Sequence, residues 1–219
     1  MRFGGRVLPL PAGSWRVVAS LPTRSSVGVT VDFKALASES AGGLVALVLL
    51  TGNDKTTPGL AGYRADGNCE RSDMIFTNVI HNEDFGDQDC QYIDFLVPED
   101  SDRAGGDSLV RAALGDLKER GIALPKALVG ANFRFGDRTD LLIAKFWFNP
   151  EAEGIAPSMK SAWLDNDWNK YNLAHHEDKQ RYVEHVKAWL LRWETIMRAA
   201  WNEKPFTAID DHDRSPPGP

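Results

Sequence analysis

Residues 176–201 read HEDKQRYVEHVKAWLLRWETIMRAAW, the longest uninterrupted helical pattern in the chain. Tyr182, Val186, Trp189, Leu190, Trp193, Ile196 or Met197, and Ala200 recur at steps of three and four. That spacing puts them on one face of a helix. Glu177 and Asp178 stand in the first turn and Arg198 near the last, as the helix macrodipole favours. Pro205 stops the pattern. A helix carrying Trp189, Trp193 and Trp201 needs a large apolar floor, and the earlier segments read as the sheet that supplies it.

Trp15, Val17 and Ala19 alternate as one face of a strand after the Pro9-Leu10-Pro11 entry. Val27, Val29, Val31, Phe33 and Ala35 alternate with polar residues, and residues 44–50 are apolar on both faces, as in a central strand. Short polar connections make these three an antiparallel meander. Residues 51–72 are rich in Gly, Asn, Asp, Thr and Pro and read as a long loop. Residues 74–81 read as a strand, an acidic loop follows to Asp89, and residues 92–97 fit a short strand or a helical turn. Asp107 caps a helix over residues 108–120 that buries Leu109, Val110, Ala113, Leu114 and Leu117, with Gly121 closing it. Residues 127–135 and 141–148 form a hairpin; Leu142, Ala144, Phe146 and Phe148 share one face, and Leu141, Ile143 and Trp147 the other. Ser158 reads as the cap of a short helix, and Asn172 as a cap for the terminal one. The expected architecture is one α+β domain over residues 1–205. An antiparallel sheet of five to seven strands carries the long C-terminal helix and one or two shorter ones, packed mainly on one face. Residues 206–219, charged and Pro-rich, read as a disordered tail.

The net charge of −6 and the absence of a Lys/Arg cluster argue against nucleic acid as the partner. No run of eighteen apolar residues is present, so no membrane span is expected. The first residues lack the zones of a secretory signal, which taken literally makes the chain cytoplasmic. Cys69 and Cys90 are the only two cysteines. They are either a disulfide, which places the protein in an oxidising compartment, or two unrelated thiols.

No motif announces chemistry. There is no G-X-G-X-X-G, P-loop, Gly-X-Ser-X-Gly or His-Glu-X-X-His, and no cofactor is called for. His175 and His176 are adjacent, which on a helix turns them about 100° apart, unlike a chelating pair one turn apart. His81, beside Asn82, Glu83 and Asp84, is the one candidate for acid–base work in a hydrolase. Glu83, Asp84, Asp87 and Asp89 around Gly86 are a weak calcium candidate, and otherwise a solvated acidic loop. Residues 165–176 start like a calcium loop but carry Lys170 and His176 where a glycine and a bidentate acid are needed. Trp189 and Trp193 read as core, whereas Trp163 and Trp168, on a short element beside a loop, are the candidates for a ligand groove.

The opening LPLPAGSW, the Cys69 and Cys90 pair, and Phe148-Asn-Pro-Glu151 followed by Gly154 resemble uncharacterised proteobacterial exported proteins. These open with a Leu-Pro-X-Gly-X-Trp segment, matched here by Leu10, Pro11, Gly13 and Trp15. The resemblance implies export and carries no activity. The expected function is therefore an exported accessory or binding domain. Its protein or small-molecule ligand would sit on a loop face built from residues 51–72, 83–89 and 151–168. The alternative is the hydrolase using His81 and its acidic neighbours.

Overall fold

Strand alternation decides how the sheet is covered, and it is visible in a computed structural model that describes residues 1–21, 23–24, 30–53, 62–102 and 107–204. The strands are β1 (Arg2–Phe3), β2 (Arg6–Val7), β3 (Arg16–Ser20), β4 (Thr23–Arg24), β5 (Thr30–Ser40), β6 (Gly43–Asn53), β7 (Phe76–Asn82), β8 (Gln88–Leu96), β9 (Leu128–Gly136) and β10 (Leu141–Phe148). The helices are α1 (Gly67–Glu70), α2 (Ser108–Glu119), α3 (Lys170–Leu173) and α4 (Glu177–Trp201). Seven strands run edge to edge in the antiparallel order β3-β5-β6-β10-β9-β8-β7. β4 extends the β3 edge by pairing with the start of β5, and β1 and β2 form a separate ribbon. The architecture is the expected α+β class, with the meander and the β9–β10 hairpin in place.

Ala46, Val48 and Leu50 of β6 and Leu142, Ala144, Phe146 and Phe148 of β10 turn toward α4. Leu47 and Leu49 of β6 and Trp147 of β10 turn the opposite way, toward α2. The helical mass on one face is thus α4, while α2 covers the other beside β3 and β5. On α4, Tyr182, Val186, Trp189, Leu190, Trp193, Met197 and Ala200 are buried, and Met197 rather than Ile196 completes the stripe. Trp189 and Trp193 stack on each other at 4.5 Å and meet Phe146 edge-on at 5.4 and 5.5 Å. Burying each such ring contributes roughly 2–3 kcal/mol. On α2, Asp107 accepts the Leu109 N–H at 2.9 Å, and the expected five-residue stripe is the buried one. Gly130 in β9 lets Trp147 lie flat over the strand, since a Cβ there would come within 2.5 Å of the indole.

Several local expectations are corrected. A bulge between Val17 and Ala19 breaks the alternation of β3, so Val17 is exposed and Val18 is buried. Trp15 precedes the strand and donates its indole N–H to the Pro11 carbonyl at 2.8 Å. The long loop at 51–72 is shortened, because β6 runs on to Asn53 and Asp66 caps α1. Residues 92–97 are resolved in favour of strand: β8 begins at Gln88 and absorbs the end of the acidic loop. Ser158 caps no helix; its hydroxyl instead receives the Asp167 N–H, and Asn169 caps α3. Asn172 does not cap α4, whose N-cap is His176 with no side-chain capping bond. Val27, Val29, Pro205 and the tail at 206–219 lie outside the described residues.

The register also divides the proposed loop face. Residues 83–87 and 137–140 connect strands at one end of the sheet, where Gln88, Gly136 and Leu141 pair. Residues 149–168 leave β10 at the opposite end, where Leu96, Leu128 and Phe148 meet. Residues 62–72 span the gap: Tyr63 and Ala65 bond to Phe85 and Asp84, while Ser72 receives Lys170. The three stretches do not make one continuous face.

Candidate functional site

The segment from Asn149 to α4 holds most of what is chemically unusual. Asn149 accepts the Glu151 N–H at 2.9 Å and donates to the Leu44 carbonyl at 2.6 Å, which ties the turn at Pro150–Glu153 to β6. Gly154, at φ 81°, supplies the left-handed residue that closes that turn. From there the chain crosses to α4 with only the short α3 as regular structure, and its backbone is held by side-chain hydrogen bonds. Asn166 accepts from Trp168 N and donates to Lys160 O. Asn169 accepts from Tyr171 N and donates to Trp163 O. Asn172 donates to Leu164 O and Asn166 O. Lys179, buried on α4, reaches back to the Ala156 carbonyl at 2.9 Å and lies 5.5 Å over the Trp168 ring.

Asparagine at steps of three is therefore the device that shapes this loop, because a short amide can bridge its own backbone in both directions. Ser158, Asn166 and Asn169 are buried. The same segment turns apolar side chains outward. Met159 is 83% exposed, Leu164 71% and Tyr171 63%, above every other exposed large apolar side chain among the described residues.

The two groove tryptophans part company. Trp168 is core: it is 1% exposed and meets Tyr182 edge-on at 5.9 Å. Trp163 is half-buried, stacked on Phe95 at 5.6 Å with the Arg71 guanidinium 5.2 Å from its ring. It lines a groove of about 210 Å³ with Phe95, Leu96, Val97 and Val110.

A second cavity, of about 300 Å³, lies beside the first turns of α4. Glu153 and Ile155 form one wall, and Asp178, Arg181, Tyr182 and His185 the other. The four helical residues fall at steps of three and four, so one side of α4 presents them together. Burial pushes the Glu153 carboxyl above its ordinary range, and the charge of His185 pulls part of that back. Burial, and then the charge of Glu153, push the Tyr182 phenol up. The Tyr182 hydroxyl is buried with no hydrogen-bond partner.

The remaining sequence candidates lie elsewhere. His81 is exposed on β7, and among the described residues its imidazole bonds to no acid or nucleophile. The calcium candidates are dispersed. Asp84 accepts the Ala65 N–H at 2.9 Å, and Asp89 accepts Arg198 at 2.8 and 3.1 Å. Among the described residues no group of three such side chains could hold a metal ion. Cys69 and Cys90 are joined in a disulfide with Cα atoms 6.2 Å apart, which clips α1 to β8. No helix of the described residues is long and apolar enough to cross a membrane.

Glu153, Tyr182 and His185 were not singled out by sequence. Tyr182 reads as one more member of the apolar stripe, and His185 falls on a different part of the helix from His176. The helical spacing of Asp178, Tyr182 and His185 was there to be read, but nothing local ties it to Glu153, twenty-nine residues before Tyr182. Comparison of the chain with protein-family models, with curated proteins and with solved structures finds no match in any of the three.

Proposed function

We propose that this chain is a non-enzymatic binding domain, exported in its working form, that holds a protein partner on segment 158–172. One observation carries the reading. The three most exposed large apolar side chains among the described residues, Met159, Leu164 and Tyr171, ride on a loop fixed by buried Ser158, Asn166 and Asn169. Single exposed apolar residues are ordinary on any surface. Three on one internally bonded loop are not accounted for by the fold, since side chains so exposed add almost nothing to the core. A loop already held in shape loses little entropy on docking, and apolar and aromatic anchors carry most protein interfaces.

The Cys69–Cys90 bridge supports an oxidising compartment. The Leu-Pro-X-Gly-X-Trp opening agrees with export in the proteins it resembles, and here Leu10 and Trp15 pack against the core. Photo-crosslinking in cells that express the chain tests the partner. A photoreactive residue at position 164 gives a discrete protein adduct that Met159→Ser with Tyr171→Ser abolishes. The same probe at position 191, on an exposed side of α4, gives none. An identical adduct from both positions, or none from position 164, overturns the reading.

A further inference from the structure

We propose that β7 is a docking edge for a second copy of this chain, the two strands pairing antiparallel about a two-fold axis so that the sheets join. The edge lies apart from Met159, Leu164 and Tyr171, and the partner reading does not use it.

An edge strand turns the N–H and C=O of every second residue outward, a ready template for another strand. Among the described residues β7 ends the sheet order, and no strand meets its outer side. Proteins guard such edges with charged side chains, proline or very short strands. The opposite edge is guarded in that way: β3 has five residues, its exposed Arg16 pairs with Glu39, and α2 packs beside it. β7 has seven, Phe-Thr-Asn-Val-Ile-His-Asn, with no acid, lysine, arginine or proline. Its bulge at Ile80 is the one protective device, and it leaves the pairing of residues 76–79 regular. Val79 and Ile80, consecutive on this edge, are 45% and 46% exposed.

Charge selects the occupant. At the start of β7, Lys187 lies 5.0 Å over the Phe76 ring, and exposed Arg71 and Lys170 flank the entering chain, Lys170 bonded to the Ser72 carbonyl. At its end, Asn82 donates to Glu70, and exposed Glu83, Asp84 and Asp87 follow. Asp73 and Glu184 offset part of the first set, and Arg64 part of the second, so the strand begins basic and ends acidic. An antiparallel copy lays the basic start of each strand beside the acidic end of the other, and the same patch serves both chains. Centred on Asn78, the pairing sets Thr77 opposite Val79 of the second copy, one exposed β-branched residue against another. An unrelated extended peptide would meet the backbone as well, but brings neither the matching polarity nor the matching side chains.

Sedimentation equilibrium of the full chain across a concentration series tests the pairing. A reversible dimer is expected, with a dissociation constant on the order of 10 μM, as a small edge interface gives. Val79→Lys brings two like charges within about 8 Å across the two-fold axis. It and Ile80→Lys should each weaken the dimer at least about tenfold with thermal stability kept, since both side chains are already exposed. Val17→Lys, on the opposite edge, should leave the dimer unchanged. Added salt should weaken it, because opposite charges meet. A monomer at every concentration, a dimer indifferent to both lysines, one that Val17→Lys weakens equally, or one that salt tightens overturns the proposal. Met159→Ser with Tyr171→Ser should leave the dimer intact. Loss of the dimer in that variant moves self-association to segment 158–172 and overturns the β7 edge, while failure of β7 pairing leaves the partner surface untouched.

Discussion

Strands β8, β9 and β10 show two faces built on opposite principles from alternating residues of the same segments. Toward α4 they present Phe133, Phe135, Phe146 and Phe148, closed by Trp189 and Trp193. Away from α4 they present Cys90, Tyr92, Asp94, Asn132, Arg134, Lys145 and Trp147. The first face is held by burial, which has no direction. The second is held by directed contacts. Asn132 donates to the Tyr92 and Gly130 carbonyls at 3.2 Å, and Arg134 donates to Gln88 at 2.8 Å and to the Arg64 carbonyl at 2.7 Å. The disulfide fixes Cys90 on that same side. An apolar face tolerates exchange of one hydrophobe for another of like volume. A buried polar face does not, because each group that loses its partner keeps its desolvation cost.

Truncation on the aromatic side should do the most damage. Trp193 is 0% exposed and stacks on Trp189, so Trp193→Ala leaves a cavity that its neighbours only partly fill. A loss of about 3–5 kcal/mol is expected in urea unfolding, with the slope unchanged. A loss under about 1 kcal/mol would mean that α4 does not depend on this face. Breaking the bridge should cost about 3 kcal/mol, for a closed segment with sequence separation 21. The double variant Cys69→Ser, Cys90→Ser acts chiefly on the unfolded chain, so its unfolding slope should steepen where that of Trp193→Ala does not. Two reactive thiols in the native, unreduced protein would remove the bridge from this account and the support it lends to export.

The same contrast explains what the sequence made legible. The α4 stripe, the α2 stripe with its Asp107 cap, and the two faces of β10 follow from periodicity and capping, which are local. Leu109, Val110, Ala113, Leu114 and Leu117 are buried as their spacing requires. The polar face was not legible, since nothing near Asn132 and Arg134 in sequence points to Arg64 and Tyr92 as their partners. Only the spacing of Cys69 and Cys90 hinted that segment 62–72 folds back. The loop before α4 was misread for a related reason. Ser158 and Asn172 are good helix caps by residue type, but here Asn166, Asn169 and Asn172 bond to one another's turns, and that choice is settled by packing around Trp168. The two tryptophans offered as groove residues had equal claims in sequence, and burial separates them: Trp168 is enclosed beside Tyr182, whereas Trp163 stays half-buried on Phe95.

The smallest effect expected on the polar face is also the most specific to it. Asp94 is a largely buried carboxyl that accepts the Phe95 N–H at 2.8 Å. Burial pushes it above its ordinary value of 3.8, while that N–H and the charges of Arg71 and Lys145 pull it partway back. An acid raised in this way holds its proton longer in the folded chain than in the unfolded one. Between the ordinary value and the raised one the folded state therefore binds more protons, and stability falls as pH rises through that window. Asp94→Asn keeps a carbonyl for the Phe95 N–H and has no charge to bury. At pH 7 it should raise stability on the order of 1 kcal/mol, and at pH 3, where Asp94 is itself neutral, the gain should vanish. Thermal melts across that range measure it. A gain that stays constant from pH 3 to pH 7 would place the cause in packing, and the distinction drawn between the two faces would lose its electrostatic half.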